Sequence, residues 1–235
     1  MDIGGEIATR WAAAMPGLPP GALGVAAVLA AIVVLVPGLW LRLRIAVTLV
    51  HELGHALVGV LSGRRFTGFV VRGDMSGHAV TVGPARGLGR IATTWAGYPM
   101  PALVGLLMLW SVSSGYAAAL LSAGLLALVV ALVFVRSVGT FVTVVAVGAL
   151  VGALWWWRDD EVQGLVLATT GFVLLAGSWR HLAVVAFDGR RDRGSDPAVL
   201  SQLTGIPSIL WTTTFLAVHA AATWAAALIV RDLLS

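Results

Sequence analysis

The chain has 235 residues, 59% of them hydrophobic and 11% charged, with no cysteine and a mean hydropathy of +0.94. A soluble domain carries about 25% charged residues, so this composition excludes a soluble globular protein, and without cysteine it excludes disulfides, thiolate nucleophiles and cysteine metal sites as well. The net charge of +4 comes from fifteen arginines and no lysine, set in short clusters between apolar runs, a pattern of membrane topology and not of nucleic-acid binding.

In chain order, the N-terminal stretch MDIGGEIATRWAAAMPGLPPG opens with acids and has no basic run before its apolar part, so it does not read as a cleaved signal peptide. A membrane span needs about 20 mostly apolar residues. That rule predicts helices at 22–41, 45–62, 91–113, 116–135, 137–157, 162–187 and 207–230. The fold class is therefore an all-α polytopic membrane protein with six to seven spans. No linker or repeat divides the chain, which reads as one domain, 1–235. Between the second and third spans, two β-prone runs, Phe69 to Arg72 and His78 to Val82, flank the turn formers Gly73, Asp74, Ser76 and Gly77 and predict a hairpin. The Arg72–Asp74 tripeptide reads as part of that turn. Pro99 and Pro101 at the start of the third span should kink or break its helix, which membrane helices tolerate only where protein or water covers the freed carbonyls.

Short loops rich in arginine stay in the cytoplasm. Placing the N-terminus inside puts Arg64, Arg65, Arg72, Arg86, Arg90, Arg136, Arg190, Arg191 and Arg193 on the cytoplasmic side and the Trp155–Glu161 segment outside, leaving Arg42 and Arg44 as exceptions. The exclusive use of arginine points to a GC-rich, bacterial genome, and the expected location is the cell membrane, with the N-terminus and the mouth of the site toward the cytoplasm.

His51, Glu52 and His55 stand inside the second span, in the stretch LVHELGHALVG. Residues four apart share a helix face, so the two imidazoles can grip one metal ion while Glu52 lies beside it. Two neutral imidazoles and a third protein ligand suit zinc and leave a fourth position for water. Glu52 would take that water's proton and pass it to a leaving amine, which implies peptide hydrolysis. With five histidines and three glutamates in the chain, chance yields H-E-x-x-H in roughly one sequence in several hundred to a thousand. An acid at the centre of a membrane helix also costs about 2.5 to 3.5 kcal/mol, so such residues are functional by default. The plain alternative is a proton relay or a buried polar network. Gly59 and Gly63 continue the face of His51 and His55 and read as helix-packing positions.

HELGHALVG in a membrane helix, a β-type loop with SGHAVT, then AGYPMPALVG and finally SDPAVLSQLTGIP together resemble the site-2 protease family of intramembrane zinc metallopeptidases, in its compact bacterial branch, from about Thr48 to about Trp211. The resemblance implies His51 and His55 as zinc ligands, Glu52 as the catalytic acid/base, a distant aspartate as third ligand, and membrane-spanning segments as substrates. The usual aspartate follows an Asn-Pro pair, which is missing before Phe187–Gly189. The compact branch resembles this chain at SDPAVL instead, so Asp196 is the expected third ligand, with Asp188 and then His219 as alternatives. Asp196 also fits a simple helix-capping role, and it can serve only if residues 188–206 fold back into the mouth of the bundle. His219 enters because it lies about 16 Å into the seventh span, near the depth of the motif histidines. His78 in the hairpin and His181 beside Arg180 are expected to do no chemistry. The hairpin could accept an unwound substrate as an added strand.

Expected partners are single-pass membrane protein substrates and the lipid bilayer. The resemblance implies membrane-bound regulators of transcription as one class of such substrates, and no residue of the chain specifies which. Two other functions fit the same trio: an ion- or proton-coupled transporter using His51, Glu52 and His55 as a relay, and a proteolytically inactive relative acting as a scaffold.

Overall fold

The computed structural model describes residues 3–13, 18–71, 77–157, 159–188 and 193–234. The predicted turn at Arg72–Ser76, with its tripeptide, and Arg190 and Arg191 lie outside the described residues. Eleven helices and two strands follow in order among the described residues: α1 Ile3–Trp11, α2 Pro20–Leu35, α3 Pro37–Leu43, α4 Ile45–Leu61, β1 Arg65–Val71, β2 Gly77–Val82, α5 Leu88–Trp95, α6 Pro99–Ser113, α7 Ala117–Leu132, α8 Val138–Trp157, α9 Asp160–Asp188, α10 Asp196–Thr204 and α11 Ser208–Leu234. Among the described residues, four helices are long and apolar enough to cross a membrane: Pro37–Leu61, Val138–Trp157, Asp160–Phe187 and Ser208–Leu234. The pair Leu88–Trp95 and Pro99–Ser113, bent by 61°, makes a fifth, and Gly21–Leu35 and Ala117–Leu132 are shorter apolar helices. The protein is a multi-pass, all-α membrane protein with one antiparallel hairpin.

Helices meet most closely where side chains are missing. A Cβ on Gly105 of α6 would lie 2.7 Å from the Gly171 carbonyl of α9, and one on Gly54 of α4 would lie 2.7 Å from Met100 Cβ. Backbones can approach that closely only at small residues. Around the α6–α9 contact, Leu18, Leu23, Ala102, Leu109, Leu167 and Ala222 form the main buried cluster. Gly63, predicted as a packing position, instead adopts φ +75 with open space around it and ends α4, a turn that glycine makes without steric cost.

Two features bear on the predicted topology. The first predicted span, α2, ends at Leu35, not near 41, because Pro37 lacks a backbone N–H and forces Val36 into an extended conformation, φ −79 and ψ 113. The N-terminal residues also lie at the end of the bundle opposite the hairpin. Arg10 sits 4.2 Å over the Trp155 ring and donates to the Trp155 carbonyl, while Phe69 of β1 pairs with Phe134–Arg136 in the connection that leads into α8. The 20-residue α8 holds those two ends about 30 Å apart. The C-terminal part of α11 belongs to the same buried cluster as Leu18 and Trp155. The Arg10–Trp155 contact sets Arg10 at the α8 end remote from the hairpin.

Because the chain has no native cysteine, single cysteines report sidedness cleanly. In sealed vesicles, exposed positions Ala8→Cys and Leu234→Cys should react with an impermeant maleimide from one face, and Ser62→Cys only from the other. Equal labelling of Ala8→Cys and Ser62→Cys from one side would refute the opposed ends.

Candidate metal centre

α4 carries His51, Glu52 and His55 on adjoining faces, and the sequence around the following bend prepares their surroundings. Pro99 is the first residue of α6, so helix α5 stops at Trp95 and the turn Ala96–Tyr98 intervenes. Carbonyls in the last turn of a helix have no partner within it. The Thr93 carbonyl is one of these, and it accepts the Nδ1–H of His55 at 2.7 Å. That bond fixes the His55 tautomer and leaves the Nε2 lone pair for a metal. Gly97, inside the bend, makes room for the rings: a Cβ there would fall 2.5 Å from His55 Nε2 and 2.7 Å from His51 Cε1. Tyr98 closes the other side, its ring edge-on to His51 at 4.9 Å and stacked on Phe215 at 5.2 Å.

Asp196 arrives from α10, which begins with Ser195 in extended conformation and has a proline in its first turn, Pro197. This matches the predicted start, and the helix folds back as Asp196 required: Leu200 is buried with Leu182, Val185 and Phe215, against Ile91, Trp95 and Tyr98. The carboxylate is not used as a cap. Its Oδ2 lies 3.4 Å from Nε2 of both His51 and His55, and the two Nε2 atoms are 3.1 Å apart. Oδ2 is buried and has no hydrogen-bond partner. Burial pushes the Asp196 carboxyl up, but His55, with His51 and Arg90 behind it, outweighs burial and holds it below its ordinary value. It therefore stays ionised, as a metal ligand must. A buried anionic oxygen with no donor, facing two imidazole nitrogens, suits a cation. Among the described residues, His51, His55 and Asp196 are the group able to hold one.

The group faces a cavity of about 360 Å³ whose lining includes Glu52, His78, Thr81, Arg90, Thr94 and Tyr98. Glu52 is 6% exposed, and β2 is pressed against it: a Cβ on Gly77 would lie 2.5 Å from Glu52 Oε1. The other candidates go elsewhere. Asp188 is the last residue of α9 and its side chain lies outside the described residues. His219 is fully buried, with its Nδ1 against the Phe215 carbonyl at 2.8 Å and its ring edge-on to Trp179 at 5.4 Å. His181 sits edge-on to Trp40 at 5.9 Å. Sequence reasoning missed Thr93, Gly97, Tyr98 and Gly77. Pro99 signalled the break that positions the first three, but no local pattern tells which carbonyl or which glycine the fold will use.

A family model described as Peptidase M50B-like matches residues 24–226. The chain belongs to this family, that of the site-2 proteases. No curated protein and no solved structure matches it. As an M50B-like peptidase of several apolar helices, it is a membrane protein of a protease family, and its His51–His55–Asp196 group is able to bind a metal.

Gly97→Ala should weaken metal binding at least about tenfold, since a side chain there displaces a ligand ring. Gly124→Ala, with open space around it, should leave it unchanged. Competition against a chromophoric chelator measures both, and unaltered affinity in Gly97→Ala would contradict the geometry.

Proposed function

We propose that the protein is an intramembrane zinc endopeptidase that hydrolyses peptide bonds of membrane-spanning substrates. The observation that carries this reading is the spacing of the three ligand atoms. Atoms arranged tetrahedrally about 2.0–2.1 Å from zinc lie about 3.3–3.4 Å from one another, and the separations here are 3.1, 3.4 and 3.4 Å. His51, His55 and Asp196 would hold the ion. When bound, zinc supplies Lewis acidity to a water molecule and to the substrate carbonyl.

Glu52 borders the same cavity and, among the described residues, is the one lining carboxylate outside the ligand group. It takes a proton from the attacking water as the water oxygen bonds to the peptide carbon. It returns that proton to the amide nitrogen as the C–N bond breaks, so the products are a carboxylate and an amine. His55, held by the Thr93 carbonyl, keeps its place while charge shifts beside it. The substrate enters extended. β1 is closed on its outer side by Phe134 and Arg136, through Phe69 N–H to the Phe134 carbonyl at 3.0 Å and Arg136 N–H to the Phe69 carbonyl at 3.3 Å. The outer edge of β2 has no strand beside it among the described residues, and His78–Thr81 line the cavity. An unwound substrate segment pairs there as a third strand. Arg64, Arg65, Arg86, Arg90, Arg136 and Arg193 gather at the hairpin end, which by charge is the cytoplasmic face of a bacterial cell membrane, with single-pass membrane proteins as substrates.

Purified wild type should carry about one zinc per chain. His51→Ala and Asp196→Asn should lose it, whereas Glu52→Gln should keep it and lose cleavage of a transmembrane reporter by roughly 10²–10⁴-fold. Zinc retained without cleavage in wild type would mark an inactive scaffold, and absence of any divalent metal would sink the reading. For strand pairing, N-methylating substrate amides near the cut should lower cleavage at least about tenfold, because each methyl removes a main-chain donor; unaffected cleavage would exclude this mode of binding.

A further inference from the structure

Arg64 is charged and yet only 6% exposed. It follows Gly63, which turns the chain out of α4, and its backbone N–H bonds to the Gly59 carbonyl in the last turn of that helix at 2.9 Å. Its side chain reaches across to the end of β2. There Nε donates to the Thr81 hydroxyl at 3.1 Å, and the terminal nitrogens donate to the Pro84 carbonyl at 2.7 Å and the Thr81 carbonyl at 3.3 Å. A buried charge is costly unless it is hydrogen-bonded, and a rigid fork that spans three acceptors is provided by arginine and not by lysine. One residue thus joins the helix that carries both imidazoles to the last residues of β2.

The Thr81 carbonyl matters because of the edge it faces. Phe69 of β1 turns its own N–H and carbonyl away from β2, toward Phe134 and Arg136, and its partner across the hairpin is Ala79. Opposed residues of an antiparallel pair either exchange both bonds or turn both groups away. Ala79 therefore faces the outer edge of β2, and by alternation Gly77 and Thr81 face it too. Val80, between them, faces β1, where its carbonyl accepts the Thr67 hydroxyl at 3.1 Å. The strand also touches α4 at two heights: a Cβ on Gly77 would lie 2.5 Å from Glu52 Oε1, and a Cβ on Gly59 would lie 2.8 Å from Thr81 Cγ2. Gly77 to Thr81 is about 13 Å of strand, and Glu52 to Gly59 is about 10 Å of helix, so the strand lies along the helix. The outward-facing edge begins beside Glu52 and ends under Arg64.

We propose that Arg64 is a positioning residue that sets which substrate bond is cut, by closing the edge along which an unwound substrate pairs. This role rests on the strand pairing at β2 proposed for the protease. A segment paired along β2 can shift only in steps of two residues, about 7 Å, because a step of one turns its pairing groups away. The guanidinium on the Thr81 carbonyl stops the ladder at one end, and Glu52 stands at the other, so the edge acts as a ruler from stop to base. With Arg64 in place, one register brings a peptide carbon to the metal centre. Without it, the Thr81 carbonyl accepts a further substrate N–H, and registers two residues apart compete.

The test maps cut positions by mass spectrometry, with the full chain in liposomes and a single-pass reporter whose membrane segment repeats alanine and leucine, so that side chains favour no register. Wild type should cut one bond at least about tenfold more often than the bonds two residues away. Arg64→Gln should keep its zinc and lower that preference at least about fivefold, the effect of about one hydrogen bond, and Arg64→Lys should fall between. Arg65→Gln removes the neighbouring, exposed charge and should cut as wild type does. Should Arg64→Gln lose its zinc, Arg64→Lys and Thr81→Val decide, the second because it removes the acceptor of Nε and keeps the side chain's shape; each should lower the preference about twofold or more. An unchanged cut position in the zinc-loaded variants, even at a reduced rate, overturns the ruler and leaves proteolysis standing. A wild type that holds zinc and cuts nothing sinks the proteolytic reading, and this use of Arg64 with it.

Discussion

Three electron-rich atoms meet inside a hydrophobic bundle, Nε2 of His51, Nε2 of His55 and Oδ2 of Asp196, at 3.1 to 3.4 Å from one another. At that separation a buried carboxylate oxygen without a donor is costly, and a cation among the three relieves it. Most of the local architecture serves this convergence. α4 brings two of the atoms on one face, α10 turns back from the end of α9 to bring the third, and the bent α5–α6 pair encloses them.

The bend shows how a defect in one helix becomes a part of another helix's site. A continuous helix through Pro99 would cover its own carbonyls and fill the space at Gly97 with the next turn. Interrupting it releases the Thr93 carbonyl to orient His55 and leaves a glycine where the rings need room. The backbone group that a membrane would otherwise punish is satisfied by a side chain that needs fixing. On the far side of the cavity β2 takes the same close approach to Glu52 through Gly77, and its opposite neighbour β1 is sealed by the α7–α8 connection.

The two ends of the bundle differ in kind. One carries Arg10 against Trp155, with Trp156 and Trp157 exposed beside it; the other carries the hairpin and the cavity.

By itself the sequence determined the membrane class, the hairpin, the broken third span and the H-E-x-x-H helix, because each follows from local composition or from a spacing of a few residues. It also placed a helix start at Ser195–Pro197. It could not place Arg10, since the Arg10–Trp155 contact joins residues 145 apart and leaves no local trace. Nor could it choose among Asp196, Asp188 and His219: all three are polar residues in or beside apolar runs, and what sets Asp196 apart is the packing of Leu200 under α9 and α11. Tertiary structure alone decided that His219 packs against Trp179, that Gly63 ends a helix and that Gly97 opens a space, because these are properties of what lies opposite a residue and not of its neighbours in the chain.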